Sequence, residues 1–314
     1  MTSELRMAEL FARHGGTAGL VFRAGPGGLL FADVANRHAR ASVCLQGAQV
    51  MHWQPHDQPQ PVLWLSAGAR HAPGKAIRGG IPICWPWFGP AAPDGAQPPA
   101  AGPAHGFART QDWHFDGAQT LADGATRLCL SLTDSPHSRA LWPAAFVLEL
   151  RITIGALLGL ELTTCNTGSD RMMITEALHT YFQIGDIGAI AVHGLAGERY
   201  FDAVAAAAPG SGGRDAVEDG AVRFAGEVDR VYDASGECRI DDPLLERRLY
   251  IAKSGSASTV VWNPWEAKAE RLGDIVPGGW RQMVCVESGN ARANTIELAP
   301  GASHCMAVHY RVET

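Results

Sequence analysis

No stretch of this chain approaches the ~20 consecutive apolar residues that a membrane-spanning helix needs. Its opening residues, "MTSELRMAELFARHGG", put charge where an export signal would carry an apolar core. Neither membrane insertion nor export by that route is expected. Cysteine is sparse: Cys44, Cys84, Cys129, Cys165, Cys238, Cys285 and Cys305 are odd in number, scattered, and never spaced C-x-x-C. Several sit in apolar, strand-like runs, so they read as reduced core residues of a cytosolic protein rather than disulfides or zinc ligands. Basic charge is short as well. At a net charge of −6 the chain offers no broad basic surface to nucleic acid or an anionic membrane, so any anion site must be local.

Cofactor signatures are missing too. There is no H-E-x-x-H and no G-x-S-x-G, and the glycine runs "GPGG" and "GSGG" fit neither a P-loop nor a dinucleotide fingerprint. His52 and His56 are four apart, but Pro55 between them works against a shared helical face. No metal and no cofactor are expected.

What is present is ordinary globular composition in 314 residues, 46% hydrophobic and 18% charged, enough chain for one or two domains. Alternation dominates the middle. In "FVLELRITI" Phe146, Leu148, Leu150, Ile152 and Ile154 share one face and Glu149, Arg151 and Thr153 the other, the period of a half-buried strand. "LGLELTTC" repeats the pattern after a short link, which predicts an antiparallel hairpin. "RLCLSLT" and "HCMAVHYRV" read likewise, while "RQMVCVE" is apolar on both sides, as a central covered strand would be. Two helices are predicted. One runs over Leu5–His14 with Ser3 as cap and Gly15 as stop; the other lies in "NPWEAKAERLG", with Asn263 capping, Pro264 at the first helical position, Glu266 closing a capping box and Gly273 ending it. The proline- and glycine-rich "GPAAPDGAQPPAAGPA" and the low-complexity "AVAAAAPGSGGRDA" read as loops. The whole is all-β, an antiparallel sandwich or barrel.

Five stretches set polar residues among aromatic or apolar ones: "IRGGIPICWPWFGP" (Ile77–Pro90), "HGFARTQDW" (His105–Trp113), "ALHTYFQI" (Ala177–Ile184), "EVDRVY" (Glu227–Tyr232) and "MVCVESGN" (Met283–Asn290). Singly, each has a plain explanation. Arg78 fits a surface turn, Arg109 a salt bridge to Asp112, and Asp229 a solvated pair with Arg230. His179 is less easily explained, because an imidazole among Leu178, Thr180, Tyr181 and Phe182 needs a polar partner if buried, a satisfied core histidine being the plain alternative. Glu287 is harder to set aside, because a carboxylate ending an apolar strand must be paired, protonated or functional.

Together and in this order, "IRGGIP.CWPWFG", "HGFAR", "LHTYF" and "VESGN" resemble the glucose-6-phosphate 1-epimerases, or hexose-6-phosphate mutarotases, of the aldose 1-epimerase superfamily, over roughly Leu29 to Val312. The resemblance implies a galactose mutarotase-like β-supersandwich with few short helices, and one domain over residues 1–314. It implies His179 and Glu287 as catalytic residues, and Arg78, Arg109 and Asp229 as substrate-binding residues, with His105 facing the sugar. Some members carry a glutamine before that histidine; Ala104 stands here, so any contact from that position is main-chain or lost.

These residue types suit anomer interconversion. A carboxylate takes the proton of the anomeric hydroxyl, an imidazole with an ordinary pKa near ~6.5 protonates the ring oxygen, and the open chain recloses on its other face. Two guanidiniums suit a phosphate dianion. Trp85, Trp87 and Phe88 read as core, with a wall for a sugar ring as the other option. The expected partner is a small-molecule sugar phosphate, with a monomer as the simplest assembly. An epimerase of free sugars would need no arginine pair, and a non-catalytic carbohydrate-binding sandwich would need neither acid nor base.

Overall fold

The computed structural model describes residues 3–90, 102–207 and 215–314. The alternating segments become the strands Thr126–Thr133, Phe146–Ile154, Leu158–Asn166 and Ser303–Glu313, inside an eight-stranded antiparallel sheet. Phe146, Leu148, Leu150, Ile152 and Ile154 are all fully buried. Each such side chain contributes about 1.5–3 kcal/mol on leaving water, which fixes which face of the strand turns inward.

That inward face meets a second eight-stranded sheet. Its order is Asp215–Val217, Arg199–Asp202, Val228–Tyr232, Ser258–Asn263, Met283–Asn290, Glu176–Leu178 and Ile83–Cys84, with Tyr181–Gln183 also pairing to Met283–Asn290. The two sheets touch through Phe182 against Tyr310 and Trp85 against Phe146, and Thr180 Oγ1 lies 2.6 Å from the Tyr310 hydroxyl. A four-stranded antiparallel meander, Leu20–Ala24 through Gln49–Pro55, adds its inner face to the same core.

Met283–Asn290 is buried at all eight positions, as its two apolar faces predict. One face looks into the core and the other into a cleft, so register decides what the cleft contains. Residues directly opposite across antiparallel strands share a face. Tyr181 is opposite Cys285, Cys285 opposite Trp262, and Trp262 opposite Asp229, forming one row; Glu287 and Val260 form part of the next.

The Leu5–His14 helix forms, beginning at Ser3. The second runs over Trp265–Leu272 and ends at the left-handed Gly273 as expected, but its start differs. Asn263 is still in a strand; its Oδ1 accepts from the Trp265 N–H and its amide donates to the carbonyls of Trp280 and Met283, so no capping box with Glu266 forms. Short helices at Pro136–Leu141 and Ala203–Ala207 were not anticipated. The first has a Ser135/Ser138 capping box that a rule keyed on Glu or Gln overlooks. The second, with the edge strand Asp215–Val217, replaces part of the expected "AVAAAAPGSGGRDA" loop. Residues 208–214 of that segment, and 91–101 of the other expected loop, lie outside the described residues. All seven cysteines are free, but Cys305 is exposed and Cys129 and Cys165 half-buried, because they occupy the outward face of the large sheet rather than its core. Among the described residues no helix is long and apolar enough to cross a membrane.

Candidate active site

Two glycine-dependent turns place the basic side chains. After Arg78, Gly79 and Gly80 take φ of 120° and 63°. A Cβ on Gly80 would fall 2.2 Å from the Val50 carbonyl oxygen, and one on Gly79 2.6 Å from that of Trp64. The Gln49 amide, wholly buried, donates to the Ile77 and Gly79 carbonyls on either side of Arg78. The second turn is "HG". His105 is left-handed at φ 61°, and a Cβ on Gly106 would lie 2.0 Å from the Trp85 oxygen, which accepts from the Phe107 and Ala108 N–H groups. Gly80→Ala is therefore expected to destabilise the fold by at least the ~1–3 kcal/mol of a strained left-handed residue, visible as a lower urea midpoint at unchanged m-value.

All six sequence-predicted residues, Arg78, His105, Arg109, His179, Asp229 and Glu287, line one cleft of about 320 Å³. At its base His179 Nε2 lies 3.2 Å from Glu287 Oε1. His179 Nδ1 and Glu287 Oε2 are buried without a hydrogen-bond partner among the described residues. The imidazole stacks on Tyr181, 4.8 Å between centroids at 12°, with the edges of His105 and Trp262 against it. Burial pushes the His179 pKa well down, neighbouring His105 would oppose a second charged imidazole, and the positive guanidiniums of Arg109 and Arg78 add to the effect. Burial pushes the Glu287 pKa well up, Asp229 adds to this, and Arg109 opposes it. The pair is thus biased toward its uncharged form, which corrects the sequence expectation of an ordinary imidazole. On the far face of the same two strands, Asn290 donates to Glu176 Oε1 at 3.0 Å, and His304 Nε2 lies 3.2 Å from that oxygen. This bond ties the strand leading to His179 to the strand bearing Glu287.

His105 Nδ1 accepts from the Gly89 N–H, leaving its Nε2–H as the donor; burial, then Arg109 and Arg78, push its pKa down to about 3. Arg109 Nη2 donates to the Ala104 carbonyl, so that position contributes through its main chain. Asp112 pairs with Arg6, and Arg109 has no carboxylate within ion-pair distance among the described residues, which removes the plain explanation for it. Arg78 is different. Its Nε is 3.1 and 3.2 Å from the two oxygens of Asp274, and Nη1 donates to the Tyr181 hydroxyl. Asp229 does not pair with Arg230, which projects from the opposite face of their strand to Asp202 and Glu218. Its partner is Lys268, which also holds Glu227. Burial raises the Asp229 pKa against the pull of Lys268.

Sequence reasoning missed Tyr181, Trp262, Lys268 and Asp274. Tyr181 lay inside "ALHTYFQI", but the strand pairing that sets it opposite Cys285 is a tertiary fact; Lys268 and Asp274 carry no local signal. Trp85 and Trp87 are core, whereas Phe88 lines the cleft. His179, Cys285 and Glu287 bring three potential metal-donor atoms within 4.8 Å of one another. Burial and then Glu287 push the Cys285 thiol up, keeping it protonated and a poor ligand. A larger groove of about 610 Å³, on the outside of the four-stranded sheet, contains none of the six residues.

Solved structures share this architecture. One from Salmonella typhimurium, provisionally described as a mutarotase, is 32% identical with a TM-score of 0.84, covering 98% of this chain and 99% of that one. A galactose mutarotase-like protein from Lactobacillus casei, at 15% identity, shares the fold with a TM-score of 0.69 over 90% of this chain and all of that one. Curated relatives from Escherichia coli and Cenchrus ciliaris, each provisionally named glucose-6-phosphate 1-epimerase, are 37% and 34% identical over 82% and 84% of this chain and 82% and 79% of theirs. Fold and relatives together define the class: an isomerase on a galactose mutarotase-like β-sandwich. More particularly, the chain belongs to the aldose 1-epimerase family, whose model matches residues 32–311.

Proposed function

We propose that this enzyme interconverts the α and β anomers of a hexose 6-phosphate, glucose 6-phosphate foremost, with Glu287 and His179 as base and acid. The observation that carries the reading is their 3.2 Å contact at the base of a cleft whose rim holds Arg78 and Arg109. Once Glu287 has passed its proton to His179 across that contact, its carboxylate takes the proton of the anomeric hydroxyl as His179 gives one to the ring oxygen. The C1–ring-oxygen bond breaks, the aldehyde rotates about C1–C2, and the ring oxygen attacks the other face as both protons return. No electrons leave the substrate, so the chemistry asks for no redox partner. General acid and base each contribute about 10²–10⁴-fold, adequate for a reaction that water already performs.

The names of the relatives support the phosphorylated substrate, and free thiols fit a cytoplasmic setting.

Polarimetry of freshly dissolved α-glucose 6-phosphate, with α-glucose in parallel, tests the reading. Relaxation should accelerate strongly for the phosphate ester and weakly for the free sugar. Equal acceleration would indicate a free-aldose epimerase, and unchanged relaxation a binding protein.

A further inference from the structure

We infer that Asp274 is a positioning and charge-setting residue: it fixes the Arg78 guanidinium and cancels its charge, so that Arg109 anchors the dianion and Arg78 serves the sugar ring. The inference rests on the hexose-phosphate reading and assigns its charged groups. Asp274 follows the left-handed Gly273 that ends the Trp265–Leu272 helix, and it lines the cleft. Both its oxygens face Arg78 Nε, and the two side chains are only 17% and 21% exposed. The main chains are tied as well: Ser66 donates its N–H to the Arg78 carbonyl and its hydroxyl to the Asp274 carbonyl. This is a built pair rather than a chance surface contact.

Two consequences follow from the bonding. With Nε on Asp274 and one Nη1 N–H on Tyr181, Arg78 keeps Nη2 and the second Nη1 N–H for a ligand, and a side-on grip on phosphate through Nε is not available without displacing Asp274. The charge pattern agrees. Of the three cations lining the cleft, Arg78 faces Asp274 and Lys268 faces Glu227 and Asp229, while Arg109 faces no carboxylate within 4.0 Å among the described residues. The Arg78–Tyr181 bond also runs to the chemistry, since Tyr181 forms the shelf on which His179 stacks.

The test is the dissociation constant of inorganic phosphate, measured by calorimetry, beside kcat and KM for glucose 6-phosphate. Asp274→Asn keeps the shape and removes the charge. It should tighten phosphate binding roughly threefold to thirtyfold while lowering kcat at least about fivefold, a split that loosening of the cleft would not give, because loosening weakens both. Asp274→Glu, which keeps the charge, should leave phosphate affinity within about threefold of wild type. The double variant Arg78→Gln/Asp274→Asn removes the pair together at constant net charge; it should hold phosphate nearly as wild type does, whereas Arg109→Gln should lose at least about tenfold. Unchanged or weaker phosphate binding by Asp274→Asn, or a tenfold loss in the double variant, overturns the assignment even where wild-type turnover of glucose 6-phosphate is intact. Wild-type protein that binds no phosphate yet anomerises free glucose overturns the hexose-phosphate reading itself.

Discussion

Glu287→Gln should lower kcat for the anomerisation of glucose 6-phosphate by about 10²–10⁴-fold while changing phosphate affinity little. The amide preserves the shape of a side chain that is 1% exposed in a fully buried strand, so the packing around it persists. It cannot take a proton, and its NH₂ can donate to His179 Nε2, occupying the atom that must pass a proton to the ring oxygen. His179→Asn should produce a loss of similar size by removing the other half of the transfer. The double variant should be little worse than either single one, because base and acid act as a unit. Exchange spectroscopy by NMR at equilibrium reads the anomer rate directly, above the uncatalysed background. Near-normal exchange in either single variant would show that the proton relay runs elsewhere.

Arg109→Ala should reduce kcat/KM for glucose 6-phosphate by about 10- to 150-fold, the equivalent of the ~1.5–3 kcal/mol of a charge-assisted hydrogen bond, and change that for free glucose by no more than about threefold. No carboxylate lies within 4.0 Å of Arg109 among the described residues, so no ion pair competes with the dianion for it. Arg78→Ala should be less selective. Its charge is balanced by Asp274, and its loss disturbs the Tyr181 shelf under His179, so both sugars should suffer. Comparing the two substrates separates loss of an anion site from general damage, which depresses both. An Arg109 variant that lost phosphorylated and free sugar turnover equally would place the phosphate elsewhere in the cleft.

The sequence by itself determined the architecture. Strict alternation in Phe146–Ile154 and Leu158–Asn166 leaves a strand one way to bury its leucines and isoleucines, and the observed hairpin follows from it. The two-sided apolar run at Met283 likewise required cover on both faces. Arg78, His105, Arg109, His179, Asp229 and Glu287 were picked out by the order of their motifs and the family resemblance that order carries, and the fold brings all six to one cleft. Tertiary structure alone decided who faces whom. Asp112 pairs with Arg6, over a hundred residues away, rather than with Arg109, and Arg78 is balanced by an aspartate 196 positions later. The direction in which His179 and Glu287 titrate was likewise beyond the sequence: desolvation and the field of neighbouring charges depend on three-dimensional distance, which local periodicity does not encode.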